Sequence, residues 1–200
     1  LDALLSENRG NLDAFGFAPE GIENNEVIYE LLTDAGWSDG RIDVDKWLEN
    51  YSLCRYGSCP EGIKSYWDEM RQGVYGSFTD HPRYVWQFRP GLRGKGSIKI
   101  DSHLKDGIKS FASCAGEMQD SPLYVTDLAE LTAHYLGASM EKTIIGIYEK
   151  YAAGEDAATL EDSFTEMALA LDKVLASHPN LKLEKWIANA RKWGDTPELA

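Results

Sequence analysis

Apolar residues recur every three or four positions along most of this 200-residue chain, and this spacing constrains the fold more than any other feature. The longest such stretch runs from about Pro122 to Ala153, where apolar side chains fall on two faces of one predicted helix. Apolar residues on two faces are typical of a helix buried between neighbouring helices. Shorter stripes at the same spacing predict further helices around residues 27–35, 44–51, 63–74, 104–115, 160–175 and 183–190.

Residues that begin and end helices stand at the edges of these stripes. Asp43 precedes the second stripe as an expected N-cap, and Gly57 follows it as an expected left-handed C-terminal residue. Pro60 and Glu61 suit the first turn of the next helix, and Gly36 is a plausible stop for the first. Strand signals are weak throughout, so the sequence predicts a mainly α-helical bundle from about residue 42 onward.

Residues 76–101 interrupt the helical pattern with several glycines and two prolines. The segment also carries four aromatic residues, Phe78, Tyr84, Trp86 and Phe88. A long loop in a compact protein is often functional. The alternative is that these aromatic side chains only attach the loop to the helices.

Composition excludes several classes of function. The formal net charge is −13, which disfavours non-specific binding to nucleic acid or to anionic lipid. No apolar run approaches the length of a transmembrane helix, so we expect no membrane insertion. The chain starts at Leu1 with no recognisable signal peptide, and we expect that this start is a cut within a longer protein.

Cysteine and histidine spacing indicates neither a metal site nor a redox motif. The three cysteines are too few for a disulfide scaffold and include no CxxC pair, and the four histidines are scattered. Cys54 and Cys59 are close enough in sequence to pair in an oxidising compartment, but buried free thiols are an equally good interpretation. We therefore expect no metal and no organic cofactor.

The stretch FGFAPEG places a carboxylate, Glu20, between a proline and a glycine. Pro19 fixes its own backbone torsion and restricts Ala18, while Gly21 permits a sharp turn beside a ligand. Rigid support of this kind suits a catalytic carboxylate at the carboxyl end of a barrel strand. On the residues alone, an exposed turn glutamate is the more common state and is favoured.

Five blocks of the sequence resemble the α-N-acetylglucosaminidase family of glycoside hydrolases. They are GFAPEGIENNEVIYELLTDAGW, WLENYSLCRYG, VYGSF, YVTDLAELTAHYL and LDKVLASHPNLKLEKWIANARKWGDTPE, in colinear order over most of the chain. The first block is the most specific of the five, and residues 89–100 match most loosely.

The resemblance implies a (β/α)8 barrel that ends within residues 1–41, followed by an all-α domain from residue 42 to residue 200 and beyond. It assigns Glu20 as the nucleophile of a retaining mechanism and so reverses the preference for an exposed turn residue. It places the acid/base glutamate upstream, outside this chain. The implied activity is removal of terminal α-linked N-acetylglucosamine from glycans or glycosaminoglycans, and we expect the fragment to be inactive alone.

Two further residues are implied to contact the sugar. His81 lies where the family has a pocket histidine, although a loop histidine facing water is an equally good interpretation. Asn25 would orient Glu20 or touch substrate, although a helix cap is its more common role. Arg89 and Pro90 also resemble a family pair, and Arg89 would serve equally well as a structural partner for a carboxylate.

The resemblance also implies an exported setting, either secreted, periplasmic or lysosomal. The rival hypothesis is a non-catalytic helical module that binds carbohydrate or acts as a scaffold through the aromatic loop at 76–90. A second glutamate on an upstream barrel would distinguish the hydrolase from the module.

Overall fold

The computed structural model describes residues 11, 13–18, 26–38, 40–75, 102–194 and 196. These residues form eight α-helices and one 3₁₀-helix, with no β-strand among them. The chain divides into two compact units, residues 1–58 and 59–200. We number the helices α1 Glu26–Trp37, α2 Val44–Tyr56, α3 Glu61–Gln72, α4 Ser102–Ser113, α5 Ala115–Met118, α6 Pro122–Ala153, α7 Ala158–Ser177 and α8 Leu183–Arg191; the 3₁₀-helix is Pro179–Leu181.

The first unit contains α1 and α2, and its second helix is capped at both ends as the sequence predicts. The Asp43 carboxylate accepts a hydrogen bond from the backbone N–H of Lys46 at 3.3 Å, and this bond lowers the pKa of Asp43. Gly57 adopts a φ of 83° and donates its N–H to the Leu53 carbonyl at 3.0 Å. A left-handed residue at this position favours glycine because a Cβ would be strained there.

The core of the second unit is aromatic. We call Tyr66 and Trp67 of α3, Phe111 of α4 and Tyr124 of α6 the aromatic core. Ring centroids lie 4.8 Å apart for Tyr66 and Phe111, and 4.6 Å apart for Phe111 and Tyr124. All four side chains are buried. Aromatic pairs in this range add about 0.5–1.5 kcal/mol beyond the area that they bury, so they fix how these three helices pack.

One buried hydrogen bond joins the start of α6 to the end of α4. The Tyr124 hydroxyl donates to the Phe111 carbonyl at 2.6 Å. This carbonyl lies in the last turn of α4, where backbone acceptors lack partners within the helix. Burial of the phenol, helped by the nearby Cys114 thiol, raises the pKa of Tyr124 to about 12.

Small residues let α3 and α4 approach each other closely. A Cβ built on Gly62 would lie 2.7 Å from the Ser110 carbonyl oxygen and 2.8 Å from the Ser113 hydroxyl oxygen. One built on Gly107 would lie 3.3 Å from the Glu69 Cβ. Because a backbone oxygen cannot move aside as a side chain can, Gly62 sets the closest approach of the two helices.

Helices α6 and α7 form an antiparallel hairpin. Gly154 ends α6 with a φ of 72°, and the chain reverses before α7 begins at Ala158. Beyond the turn, the Tyr151 hydroxyl donates to the Glu161 carboxylate, and this bond raises the pKa of Tyr151. A Cβ on Gly146 would lie 3.3 Å from Leu160, so the two helices stay close for at least two turns.

The mainly α-helical fold predicted from periodicity is confirmed within the described residues, and the long helix has the predicted bounds. Helix α1 ends at Trp37, one residue beyond the predicted stop at Gly36. The Phe15 ring occupies the space that a Cβ at residue 36 would fill. The barrel assignment for residues 1–41 stays a prediction, and residues 76–101 lie outside the described part of the chain.

Candidate functional site

The predicted site residues Glu20, Asn25 and His81 all lie outside the described residues, as do Trp86 and Arg89. The structure does describe both flanks of the stretch 19–25, which contains Glu20 and Asn25. The structure therefore shows the surroundings of this stretch through the contacts of its two flanks.

The flank before Glu20 packs on α1 through two aromatic side chains. The Phe17 ring lies 4.9 Å from the Tyr29 ring between centroids, at an interplanar angle of 41°. The Phe15 ring covers Gly36, one residue before the carboxyl end of the same helix. Residues 15–17 thus contact α1 near both of its ends.

The flank after Glu20 lies beside an arginine of α2. Glu26 is the first described residue of α1, and its carboxylate lies 4.0 Å from the Arg55 guanidinium of α2. Only 14% of the Arg55 side chain is exposed, whereas 60% of the Glu26 side chain is exposed. The guanidinium carbon also lies 6.0 Å from the ring centroids of both Tyr51 and Tyr56, which are buried. These rings stabilise the cation by attraction to their faces.

A second polar contact ties the other end of α1 to α2. The Trp47 indole N–H donates to the Asp34 carboxylate at 2.7 Å, and the Trp47 ring stacks on Tyr51 with centroids 5.4 Å apart. The start of α1 thus meets the end of α2, and the end of α1 meets the start of α2. This pattern is that of two helices running in opposite directions.

These contacts attach both ends of the stretch 19–25 to one helix. The preceding flank contacts α1 at Tyr29, and the following flank is α1 itself, where Glu26 lies 4.0 Å from the Arg55 guanidinium. A catalytic carboxylate needs support of this kind, because small displacements from the reacting carbon cost rate. The amino-terminal end of a helix also carries partial positive charge, which favours ionised carboxylates beside it.

Arg55 and Glu26 were not among the site residues predicted from the sequence. Arg55 does lie within the block WLENYSLCRYG that carries the resemblance, between two tyrosines. The available signal was a cation between two tyrosines, just beyond the predicted stripe at 44–51. Its partner Glu26 had no signal, because the pairing depends on how α1 and α2 are placed.

The second unit contains polar contacts that fasten helices to one another. The His103 ring lies 2.7 Å from the Glu69 carboxylate and joins α4 to α3. The His178 ring lies 3.0 Å from the Thr126 hydroxyl and joins the end of α7 to α6. Two further groups are perturbed by burial on α6, which lowers the pKa of His134 and raises that of Glu141.

No cluster of three or more histidine, cysteine, aspartate or glutamate side chains suited to a metal ion occurs among the described residues. None of the three cysteines forms a disulfide bond; Cys54 is exposed and Cys114 is buried. Within the described helices, none combines the length and apolar character that crossing a membrane requires.

Comparison with known proteins gives a consistent result along the chain. The family model for the "Alpha-N-acetylglucosaminidase (NAGLU) C-terminal domain" matches residues 47–200. Human alpha-N-acetylglucosaminidase is 29% identical over 189 residues, which cover 88% of this chain and 25% of the human protein.

Solved structures agree with this match. A family 89 glycoside hydrolase from Clostridium perfringens, in complex with 2-acetamido-1,2-dideoxynojirimycin, superposes with a TM-score of 0.76 at 25% identity over 88% of this chain and 22% of that one. A form of the Clostridium perfringens enzyme with two glutamates replaced by glutamine, in complex with its substrate GlcNAc-α-1,4-galactose, gives a TM-score of 0.80 at 23% identity over 98% of this chain. The chain spans about a quarter of the length of these relatives.

Proposed function

The chain belongs to the family of α-N-acetylglucosaminidase C-terminal domains, and on that premise we propose that it is part of a retaining exo-α-N-acetylglucosaminidase. The observation that carries the proposal is the family match over residues 47–200, extended by similarity to the human enzyme over 88% of the chain. The substrate class is a glycan with a terminal α-linked N-acetylglucosamine, such as the disaccharide bound by the bacterial relative.

Glu20 is the proposed nucleophile. Its carboxylate attacks the anomeric carbon, the bond to the leaving oxygen breaks, and a covalent glycosyl-enzyme forms. A second carboxyl group, on a part of the parent protein upstream of residue 1, protonates that oxygen and then removes a proton from water. Water displaces Glu20, so the sugar is released with its original anomeric configuration. Both steps use carboxyl groups alone, and the proposal includes no metal or organic cofactor.

The described flanks support this role for Glu20. A nucleophilic carboxylate must remain ionised and must be held near the anomeric carbon, roughly 5–5.5 Å from its partner carboxyl group. Phe17 on Tyr29 and Glu26 on Arg55 provide attachment on either side of the stretch that contains it. Asn25 and His81 are the proposed contacts to sugar hydroxyls. The resemblance further supports a secreted, periplasmic or lysosomal setting for the parent protein.

The experiment is a pair of substitutions in the parent protein, Glu20→Gln and Glu30→Gln. Glu30 is an exposed residue of α1 and serves as the matched control. We expect Glu20→Gln to lower kcat on an aryl α-N-acetylglucosaminide by at least about a thousand-fold, and Glu30→Gln to leave it near the wild-type value. The first-formed sugar anomer, read by NMR, should be α.

Three results would contradict the proposal in different ways. Full turnover by Glu20→Gln would refute the assignment of Glu20 as the nucleophile. A β-anomer as the first-formed sugar would refute the retaining mechanism. A parent protein that binds the sugar without hydrolysing any α-N-acetylglucosaminide would favour the binding module instead. The 200-residue chain alone should be inactive, because the second carboxyl group is not part of it.

A further inference from the structure

Helix α6 carries an ionisable residue at every seventh position along one face. These residues are Asp127, His134, Glu141 and Tyr148. Seven residues make about two turns of an α-helix, so successive members lie about 10.5 Å apart along the axis. Between the two middle members, His134 and Glu141, the small residues Gly137 and Ala138 are buried. His134 and Glu141 therefore lie next to a part of the helix that is closed to water.

The Glu141 carboxyl group is poorly placed to carry a charge. Its Oε2 atom is enclosed by the protein and has no hydrogen-bond partner among the described residues. Removing an ionised carboxylate from water without a partner costs far more free energy than removing the neutral acid. Burial accordingly raises the pKa of Glu141 above its ordinary value of 4.5.

His134 responds to burial in the opposite direction. Its ring is half-buried, and burial lowers the pKa of His134 below its ordinary value of 6.5. The two directions differ because imidazole is charged when it holds an extra proton, whereas a carboxyl group is charged when it has lost one. The same exclusion of water therefore favours the uncharged form of both groups.

The charged side chains on the described helices that pack against α6 are either bonded to other residues or exposed. His103 of α4 bonds Glu69, and Glu161 of α7 bonds Tyr151. The others are exposed: Lys105, Asp106 and Lys109 of α4, Glu117 of α5, and Asp162, Glu166, Asp172 and Lys173 of α7. On α6 itself, Glu130, Lys142 and Glu149 are exposed as well. Burial is the cause of the shifts at both His134 and Glu141.

We propose that between about pH 4.5 and pH 6.5 folding of the second unit moves one proton from His134 to Glu141, with no net uptake from solvent. In the unfolded chain at such a pH, the histidine holds the proton and the glutamate is ionised. In the folded protein, the imidazole has released its proton and a Glu141 oxygen has gained one, so both groups are neutral. The proton passes through water, because the two residues lie about two helical turns apart.

Each group by itself would make the stability depend on pH. The contribution of His134 is complete above pH 6.5 and is lost as the pH falls, because the unfolded chain then binds the proton more readily. The contribution of Glu141 is complete below pH 4.5 and is lost as the pH rises through the raised pKa of the folded state. Together the two slopes oppose each other, so the pair lets the second unit tolerate mild acid. The inference rests on the burial of both groups and not on the hydrolase activity.

The direct test is NMR of the parent protein with carboxyl-labelled glutamate and ring-labelled histidine. The signals of Glu141 and His134 are identified by their loss in Glu141→Gln and His134→Gln. At about pH 5.5 we expect a protonated carboxyl group at Glu141 and a neutral imidazole at His134. A carboxylate at Glu141 or an imidazolium at His134 at this pH would overturn the proposal.

Amide hydrogen exchange of α6 in the parent protein gives a second readout, because protection reports the local opening equilibrium. We compare each variant with the wild type from about pH 7 to about pH 4.5, after correction for the intrinsic pH dependence of exchange. Relative protection should rise at least about threefold in His134→Gln and fall at least about threefold in Glu141→Gln as the pH falls. Glu149→Gln, at an exposed position of the same helix, is the matched control and should follow the wild type. Changes of the same sign in the two test variants, or none in either, would contradict an opposed pair.

Discussion

Replacing Tyr124 by phenylalanine should separate a buried hydrogen bond from the packing of the ring that carries it. The substitution keeps the ring, whose centroid lies 4.6 Å from that of Phe111, and removes the hydroxyl that donates to the Phe111 carbonyl at 2.6 Å. That carbonyl also accepts the Cys114 N–H at 3.1 Å, so it keeps one partner in the variant. The expected loss in the free energy of unfolding near pH 8 is therefore about 1 kcal/mol, the central value for one hydrogen bond.

The same phenol should make the loss depend on pH. Burial raises the pKa of Tyr124 from 10 to about 12, so the folded protein holds the neutral hydroxyl while the unfolded chain releases its proton near pH 10. The contribution of Tyr124 to stability is complete below pH 10 and is lost between pH 10 and pH 12. A shift of this size corresponds to roughly 3 kcal/mol over that interval. The wild type should begin more stable than Tyr124→Phe and become less stable, with the two curves crossing at about pH 11.

The assay is urea unfolding of both proteins from pH 8 to pH 11.5, in the presence of a reductant because the cysteines form no disulfide bond. Tyr148→Phe, which removes a partly exposed hydroxyl, corrects for general effects of the replacement. Stability curves for wild type and Tyr124→Phe that stay parallel across this range would refute the reasoning, because they would show that the buried phenol titrates equally in the folded and unfolded states.

Two pairs of substitutions test helix packing and the contacts of Arg55. Gly62→Ala should lower the free energy of unfolding by about 1–3 kcal/mol, because the added Cβ would meet the Ser110 carbonyl oxygen. Gly116→Ala is the control and should be neutral or stabilising, because the space around Gly116 is open. Equal urea midpoints for the two variants would contradict this. Arg55→Met should lower the free energy of unfolding by about 1–2 kcal/mol, because the contacts with the two tyrosine rings are lost. Glu26→Gln should lower it by less than about 0.5 kcal/mol, because that carboxylate is exposed. The opposite order in urea unfolding would show that the ion pair dominates.

The helices could be predicted from the sequence because their signals are local. Asp43 and Gly57 act as caps through backbone groups three or four residues away, and the structure confirms both. The bounds of α6 follow from Pro122 at its start and Gly154 after its end. Signals of this kind depend on neighbours in sequence, which a single chain displays in full.

The pairing of the helices could not be predicted, because it depends on side chains that are distant in sequence. From the sequence, Gly62 is only a residue that weakens a helix. The structure shows that the Ser110 carbonyl oxygen lies against it. From the sequence, Tyr124 is one of many apolar positions. The structure shows that its hydroxyl donates a hydrogen bond to the Phe111 carbonyl at the end of α4. The candidate site could not be derived from residue patterns either. Glu20 was identified by resemblance to a family, and Arg55 was identified only from the structure.

Two contacts between α1 and α2 lie on the helix that follows the proposed nucleophile in sequence. The family model begins at Trp47, within α2, and the Trp47 indole binds Asp34 of α1. Arg55, further along α2, holds the end of α1 that follows Glu20. If the barrel does end within residues 1–41, both contacts join the helical domain to the last piece of that barrel. If these contacts also position Glu20, we expect Arg55→Met in the parent protein to lower kcat more than it raises KM, and an unchanged kcat in steady-state assays would show that they do not.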